Sequence, residues 1–111
     1  MTTVQARSKV WLEVDGQPLL GDGRERLLRL VHETGSISAA ARAMGVSYRK
    51  AWTQLQCMED LLTWPLLVRQ KGGAQKGKTS LTPEALELLQ QFDDLKQGVR
   101  EFVDARYREV F

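Results

Sequence analysis

Six side chains with hydrogen-bonding groups crowd one short stretch: Ser47, Tyr48, Arg49 and Lys50, then Thr53 and Gln54. Hydroxyls, an amide and two cations at this spacing neutralise anions and donate hydrogen bonds, and none is a nucleophile with a base beside it. Such a set binds rather than transforms. A nucleic-acid duplex calls for this mixture, since cations and hydroxyls take phosphates while amide and guanidinium groups reach base edges. Catalytic readings fail on inventory. The sequence offers no Ser/His/Asp set and no carboxylates paired in an apolar setting; Asp93-Asp94 and Glu59-Asp60 are neighbours on helix faces read as exposed. His32, the only histidine, has no cysteine or carboxylate at metal-ligand spacing and reads as a helix-surface or boundary residue. No enzyme activity, cofactor or metal is expected.

The elements that must position this set lie around it. Residues 35–58 read GSISAAARAMGVSYRKAWTQLQCM. Ser38 is expected to cap a short helix of small residues, Ala39, Ala40, Ala41 and Ala43, by accepting a free backbone N–H. Gly45 stops that helix in a left-handed cap, Val46 is the apolar turn residue, and Ser47 caps a second helix from Tyr48. Ala41 falls where the helices cross and a larger side chain would separate them. Two helices joined by a tight glycine turn make a helix-turn-helix. The second helix turns Ala51, Leu55, Met58 and Leu62 inward, and its outer start presents the six polar residues. Cys57, the only cysteine, excludes an internal disulfide, suits a reducing cytoplasm, and reads as packing within this helix rather than as a redox sensor.

Charge follows the same division. Residues 23–80 hold ten basic and four acidic side chains, whereas the segments before and after are net acidic within an overall charge of +2. The excess sits on the helix-turn-helix and its flanks, as a phosphate-binding surface requires, against the plainer reading of a solvated face. At 111 residues and 42% apolar composition the chain suits one small globular domain. No apolar run is long enough to span a bilayer and no signal-peptide core opens the chain, so no membrane partner is expected.

The remaining segments frame the motif. From Ser8 the sequence alternates, with Val10, Leu12 and Val14 on one side and Lys9, Trp11 and Glu13 on the other, which predicts a strand. Asp15-Gly16 predicts a hairpin turn and residues 17–20 the returning strand. Trp11 is left to pack against another element or a partner subunit. A helix should begin with Asp22 as cap and Glu25 reaching back to it, bury Leu27, Leu28, Leu30 and Val31, and end at Gly35. Arg24, Arg26 and Arg29 stay outside it, as phosphate contacts or solvated charges. Beyond Pro65, residues 66–69 and 79–81 predict two strands around a glycine- and lysine-rich loop. That basic hairpin after a helix-turn-helix reads as a wing, with Arg69, Lys71, Lys76 and Lys78 as its cations. The loop lacks the GxxxxGK[ST] form and follows the wrong element order for a nucleotide phosphate loop.

The last segment predicts a long helix with Thr82 as cap, Pro83 in its first position and Glu84 near its positive end. Leu81 and Leu86 are spaced for a hydrophobic staple. Ala85, Leu88, Phe92, Leu95, Val99 and Phe102 follow at alternating three- and four-residue steps, a coiled-coil seam. Thirty such residues would reach about 45 Å. A domain this small does not cover so long a stripe, so the seam predicts a homodimer through Leu88, Phe92, Leu95, Val99 and Phe102; a helix folded back on its own domain is the other reading.

Residues GSISAAARAMGVSYRKAWTQLQCMEDLL, with the glycine-rich stretch and LTPEALELL behind them, resemble the N-terminal DNA-binding domain of the molybdate-responsive transcriptional regulator (ModE) family. More distantly they are similar to the winged helix of LysR-type bacterial regulators. The resemblance covers residues 22–102, and its most specific parts are GSIS at 35–38 and SYRKAW at 47–52. It implies a dimeric winged helix-turn-helix protein that binds operator DNA, with Ser47, Tyr48, Arg49 and Lys50 facing the DNA and Trp52 as a packing residue. Full-length members of that family continue into C-terminal domains that bind molybdate, whereas this chain stops at Phe111 and offers no anion site. Molybdate sensing is therefore not carried over; a stand-alone DNA-binding member, or sensing by another chain or an unidentified effector, is expected instead.

These readings converge on a mainly α (α+β) fold: a winged helix-turn-helix with N-terminal β-hairpin, β-wing and long C-terminal dimerisation helix. Residues 1–81 form the DNA-binding domain and 82–111 the dimerisation helix. The expected function is a cytoplasmic, sequence-specific regulator that binds double-stranded DNA as a homodimer. Its expected DNA contacts are Ser38, Ser47, Tyr48, Arg49, Lys50, Thr53, Gln54, Arg69, Lys71, Lys76 and Lys78. The alternative is a winged helix used for protein–protein interaction, for which the seam and Trp11 would be the surfaces.

Overall fold

In a computed structural model, which describes residues 2–70 and 77–111, Asp15 and Gly16 both take positive φ, 50° and 80°. That turn folds β1 (Leu12–Val14) back on β2 (Gln17–Leu20) with Leu12 opposite Leu20 and Val14 opposite Gln17. The expected alternation holds: Val10, Leu12 and Val14 pack against the core while Trp11 and Glu13 face out. Trp11 is exposed, and its indole donates to the Glu13 carboxylate at 2.7 Å.

Helix α1 (Asp22–Thr34) buries Leu27, Leu28 and Val31, half-buries Leu30, and stops at Gly35 in the left-handed region. Its expected capping box is absent. Gly21 occupies the cap position without a side-chain bond, and the Glu25 carboxylate turns inward to two cations. Glu25 accepts from Arg29 at 3.0 Å and from Lys96 at 2.6 Å, and pairing with both outweighs reaching one backbone N–H. Helix α2 (Ile37–Met44) also starts differently from expectation: Ser36, not Ser38, is the cap and accepts from Ala39 N. Only Gly35 and Ser36 separate α1 from α2, so the chain must turn at once, and starting at Ile37 buries that side chain. Ser38 stands exposed in the first turn.

Helix α3 (Tyr48–Leu61) packs Ala51, Leu55 and Met58 inward; Leu62, beyond its end, is half-buried. Cys57 is exposed rather than packed, because the residue before Met58 lies about 100° around the helix from that inward face. Strands β3 (Leu67–Arg69) and β4 (Thr79–Leu81) pair antiparallel, Arg69 opposite Thr79. Two bonds tie β4 to α1: Thr79 N donates to Gly35 O at 2.8 Å, and Leu81 N to His32 Nδ1 at 3.3 Å. The expected wing cations Lys71 and Lys76 lie outside the described residues.

Helix α4 (Pro83–Val110) begins as expected, with Thr82 Oγ1 accepting from Ala85 N. Its first three turns complete the core through Ala85, Leu89 and Phe92, beside Leu20, Leu28, Val31, Leu55, Met58 and Leu66. Each leucine, valine, methionine or phenylalanine among them contributes about 2 kcal/mol by leaving water. Leu95 and Phe102 are exposed, and the helix carries the molecule to an extent of 58 Å against 33 and 25 Å. Among the described residues no helix is long and apolar enough to cross a membrane.

Candidate nucleic-acid interface

Small residues set the geometry of the reading element. Ala40, Ala41 and Ala51 are fully buried, which lets α2 and α3 approach closely. Gly45 takes φ +70° and, with Val46, returns its N–H to the end of α2, Val46 N meeting Ala41 O at 3.0 Å. Ser47 then adopts extended backbone and accepts from Lys50 N at 3.1 Å, closing the first turn of α3. Cap and core fix opposite sides of one helix. What remains outward is Tyr48, Arg49, Lys50 and Thr53, all exposed, and Trp52, exposed to 48%.

The cations divide into two kinds. Arg29, Lys96 and Arg106 are paired with Glu25, Asp22 or Glu109. Lys96 is held above its ordinary pKa of 10.5 by its hydrogen bond to Glu25, reinforced by the charges of Glu25 and Asp22, while burial opposes. Among the described residues Arg49, Lys50, Arg69 and Lys78 make no ion pair within 4.0 Å, so their charge is available to an anion. Lys78 is exposed, although its stem lies so close over Gly35 that a Cβ there would meet Lys78 Cγ at 2.9 Å. Gln70 N donates to Lys78 O at 2.8 Å, continuing the β3–β4 pairing toward the loop.

Several placements escaped sequence reasoning. Gln54 is half-buried, and its Oε1 accepts from Arg24 Nε at 2.7 Å. Arg24 is therefore a bridging side chain rather than a free surface charge, and Arg29 is bound to Glu25. Trp52, taken for a packing residue, flanks a surface recess with Gln56, Arg69 and Thr79 between α3 and the β3–β4 hairpin. Phe92 is 1% exposed and belongs to the chain's own core, which withdraws it from an intermolecular seam. The signal was present: Ala85, Leu89 and Phe92 are spaced four and three, a second stripe beside that of Leu88, Leu95 and Phe102.

Two helices crossing on alanines, a third behind them and a β-hairpin after the second define a winged helix-turn-helix fold. Solved structures agree: the CbnR DBD–DNA complex matches with a TM-score of 0.56 at 24% identity, covering 78% of this chain and 95% of that one. The BenM DBD in its complex with benA site 1 DNA matches with a TM-score of 0.54, also at 24% identity, covering 78% and 91%. The model of the lysR family of bacterial regulatory helix-turn-helix proteins matches residues 25–86, and the chain belongs to that family. Similar relatives include the molybdenum transport protein ModE of Azotobacter vinelandii, 33% identical over 99% of this chain and 42% of that protein. The transcriptional regulator ModE of Haemophilus influenzae is 43% identical over 67% of this chain and 29% of its own length. The molybdenum-pterin-binding protein MopB of Rhodobacter capsulatus is 37% identical over 78% and 32%. The chain thus spans less than half of these relatives, and the ModE resemblance read from the sequence holds over most of its length.

Proposed function

We propose that this chain is a sequence-specific, double-stranded-DNA-binding transcriptional regulator that works as a homodimer in the bacterial cytoplasm. The observation that carries this reading is α3 itself. Its buried face and Ser47 cap hold it rigid while Tyr48, Arg49, Lys50 and Thr53 stand exposed and unpaired with any carboxylate among the described residues. Relatives named as transcriptional regulators support it.

In this reading Arg49 and Lys50 meet guanine edges or phosphates, Thr53 and Gln54 reach base edges one turn further in, and Ser47 and Tyr48 fix register on phosphates. Ser38 on α2 and Arg69 and Lys78 on the hairpin take flanking backbone, as do Lys71 and Lys76. Two subunits pair along the exposed side of α4, with Leu95 and Phe102 at the centre, Val99 beside them and the half-buried Leu88 at the inner end, and present two copies of α3 to one face of the duplex. An unidentified effector or second protein sets when the site is occupied.

The test is selection from random duplex DNA across a salt series. Enrichment of a two-fold symmetric site, with affinity falling steeply as salt rises, is expected. No binding at low salt refutes the reading and leaves the exposed α4 face as the surface of a protein-interaction module.

A further inference from the structure

Arg24 stands in the first turn of α1, and its guanidinium reaches two other elements. Nη1 donates to the carbonyls of Pro18 at 2.7 Å and Leu19 at 3.1 Å, at β2, while Nε donates to Gln54 Oε1 on α3 at 2.7 Å. A recess of about 230 Å³ opens beside this bridge, bordered by Lys50 and Gln54, which are one turn apart on the same flank of α3.

A guanidinium has donors and no acceptor, so the atom of Gln54 that meets it must be the carbonyl oxygen. The orientation of the amide follows from that chemistry alone. With the oxygen turned back to α1, the amino group is the end left for a ligand. A glutamine free to turn pairs side by side with adenine, accepting from N6 and donating to N7. A glutamine whose oxygen is held toward α1 by Arg24 keeps only the N7 half of that pair, because the oxygen's second lone pair stays with it on the α1 side.

Resting on the proposed function, with α3 entering the major groove, we propose that Arg24 is a positioning residue that holds Gln54 as a donor only. This position of the DNA site then selects guanine, through N7 and O6, or thymine, through O4, over cytosine, which presents a donor, and over adenine, whose single acceptor N7 stands beside the N6 donor. The fork of Arg24 is itself held by two hairpin carbonyls, so the N-terminal hairpin is part of the reading apparatus without touching DNA.

The experiment is selection from random duplex DNA with the whole chain and two kinds of variant. The unsubstituted chain should prefer guanine or thymine at one position of each half-site. Gln54→Glu still accepts from Arg24 but has no N–H to offer, and should exchange that preference for cytosine by about fivefold or more. Arg24→Met releases the amide, and adenine should rise to match guanine at that position while the other positions keep their preferences. Arg24→Lys lacks the fork needed to serve hairpin and glutamine together and should show the same shift, which covers a failure of Arg24→Met to fold. An unchanged base preference in Gln54→Glu, or Arg24 variants that weaken every site alike, would overturn the proposal. Absence of any enriched sequence with the unsubstituted chain would instead refute the DNA-reading function beneath it.

Discussion

Two phenylalanines ten residues apart on α4 should behave as opposites. Phe102 is 67% exposed in the single chain, whereas Phe92 is 1% exposed. If the outer part of α4 joins two subunits, each Phe102 has about 130 Å² to lose to the partner, taking a side chain of about 200 Å² and its 67% exposure. At about 25 cal/mol per Å², that is about 3 kcal/mol for each ring. Ordering costs take part of it, and half of the two-ring total still weakens dimerisation about a hundredfold. Phe102→Ala should therefore raise the dimer dissociation constant at least that much and leave the monomer's helical content unchanged. Phe92→Ala should instead remove about 3–5 kcal/mol of fold stability. That is a large share of the roughly 5–15 kcal/mol that holds a domain together. Sedimentation equilibrium separates the first effect and denaturant unfolding the second. A Phe102→Ala protein that dimerises as tightly as the parent would refute the seam.

Ser36→Ala should cost about 1 kcal/mol, whereas Ser38→Ala should stay within about 0.5 kcal/mol, both read from urea midpoints, because only Ser36 caps α2. Arg49→Ala should weaken DNA binding and lower the slope of log affinity against log salt by about one if it meets a phosphate. An unchanged slope together with relaxed base preference would assign it to a base edge. The Lys96 pKa is raised by Glu25 and Asp22, so its contribution is complete below 10.5 and is lost as pH rises through the folded value. Lys96→Met should lower stability at pH 8 and shrink its fall between pH 9 and 12, compared with the parent by thermal melts.

Local chemistry was the legible part of this fold. The Asp15-Gly16 turn, the Gly35 and Gly45 stops, the Ser47 and Thr82 caps and Pro83 are each decided by a residue and its immediate neighbours. The polar set at the start of α3 was legible for the same reason. Misreadings arose where distant elements compete for one side chain. Glu25 fits a capping box in sequence, but Lys96, seventy-one residues away, is what its carboxylate meets. Ser38 was expected to start α2, but the cap is Ser36 because Gly35 had already ended α1 one residue before it.

Helix α4 shows how one sequence pattern carries two jobs. Residues three and four apart share a helix face, so Phe92 belongs equally to the series through Leu88 and to that through Ala85 and Leu89. Periodicity does not choose between them, whereas the position of α1 does. Lys96 reaches Glu25 and Asp22 on α1 and lies over the Phe92 ring at 4.8 Å, closing the inward stripe where α4 meets α1; further out α4 meets the N-terminal segment, Tyr107 OH donating to Val4 O at 2.8 Å. Past Lys96 there is no α1 left to pack against. Leu95 and Phe102, seven residues apart, then lie on one exposed line. The buried Ala85, Leu89 and Phe92, together with the Lys96 ion pairs, hold the direction in which α4 leaves the domain and so the way that line faces. If the proposed dimer forms along that line, the same ion pair would help set the angle between its two copies of α3.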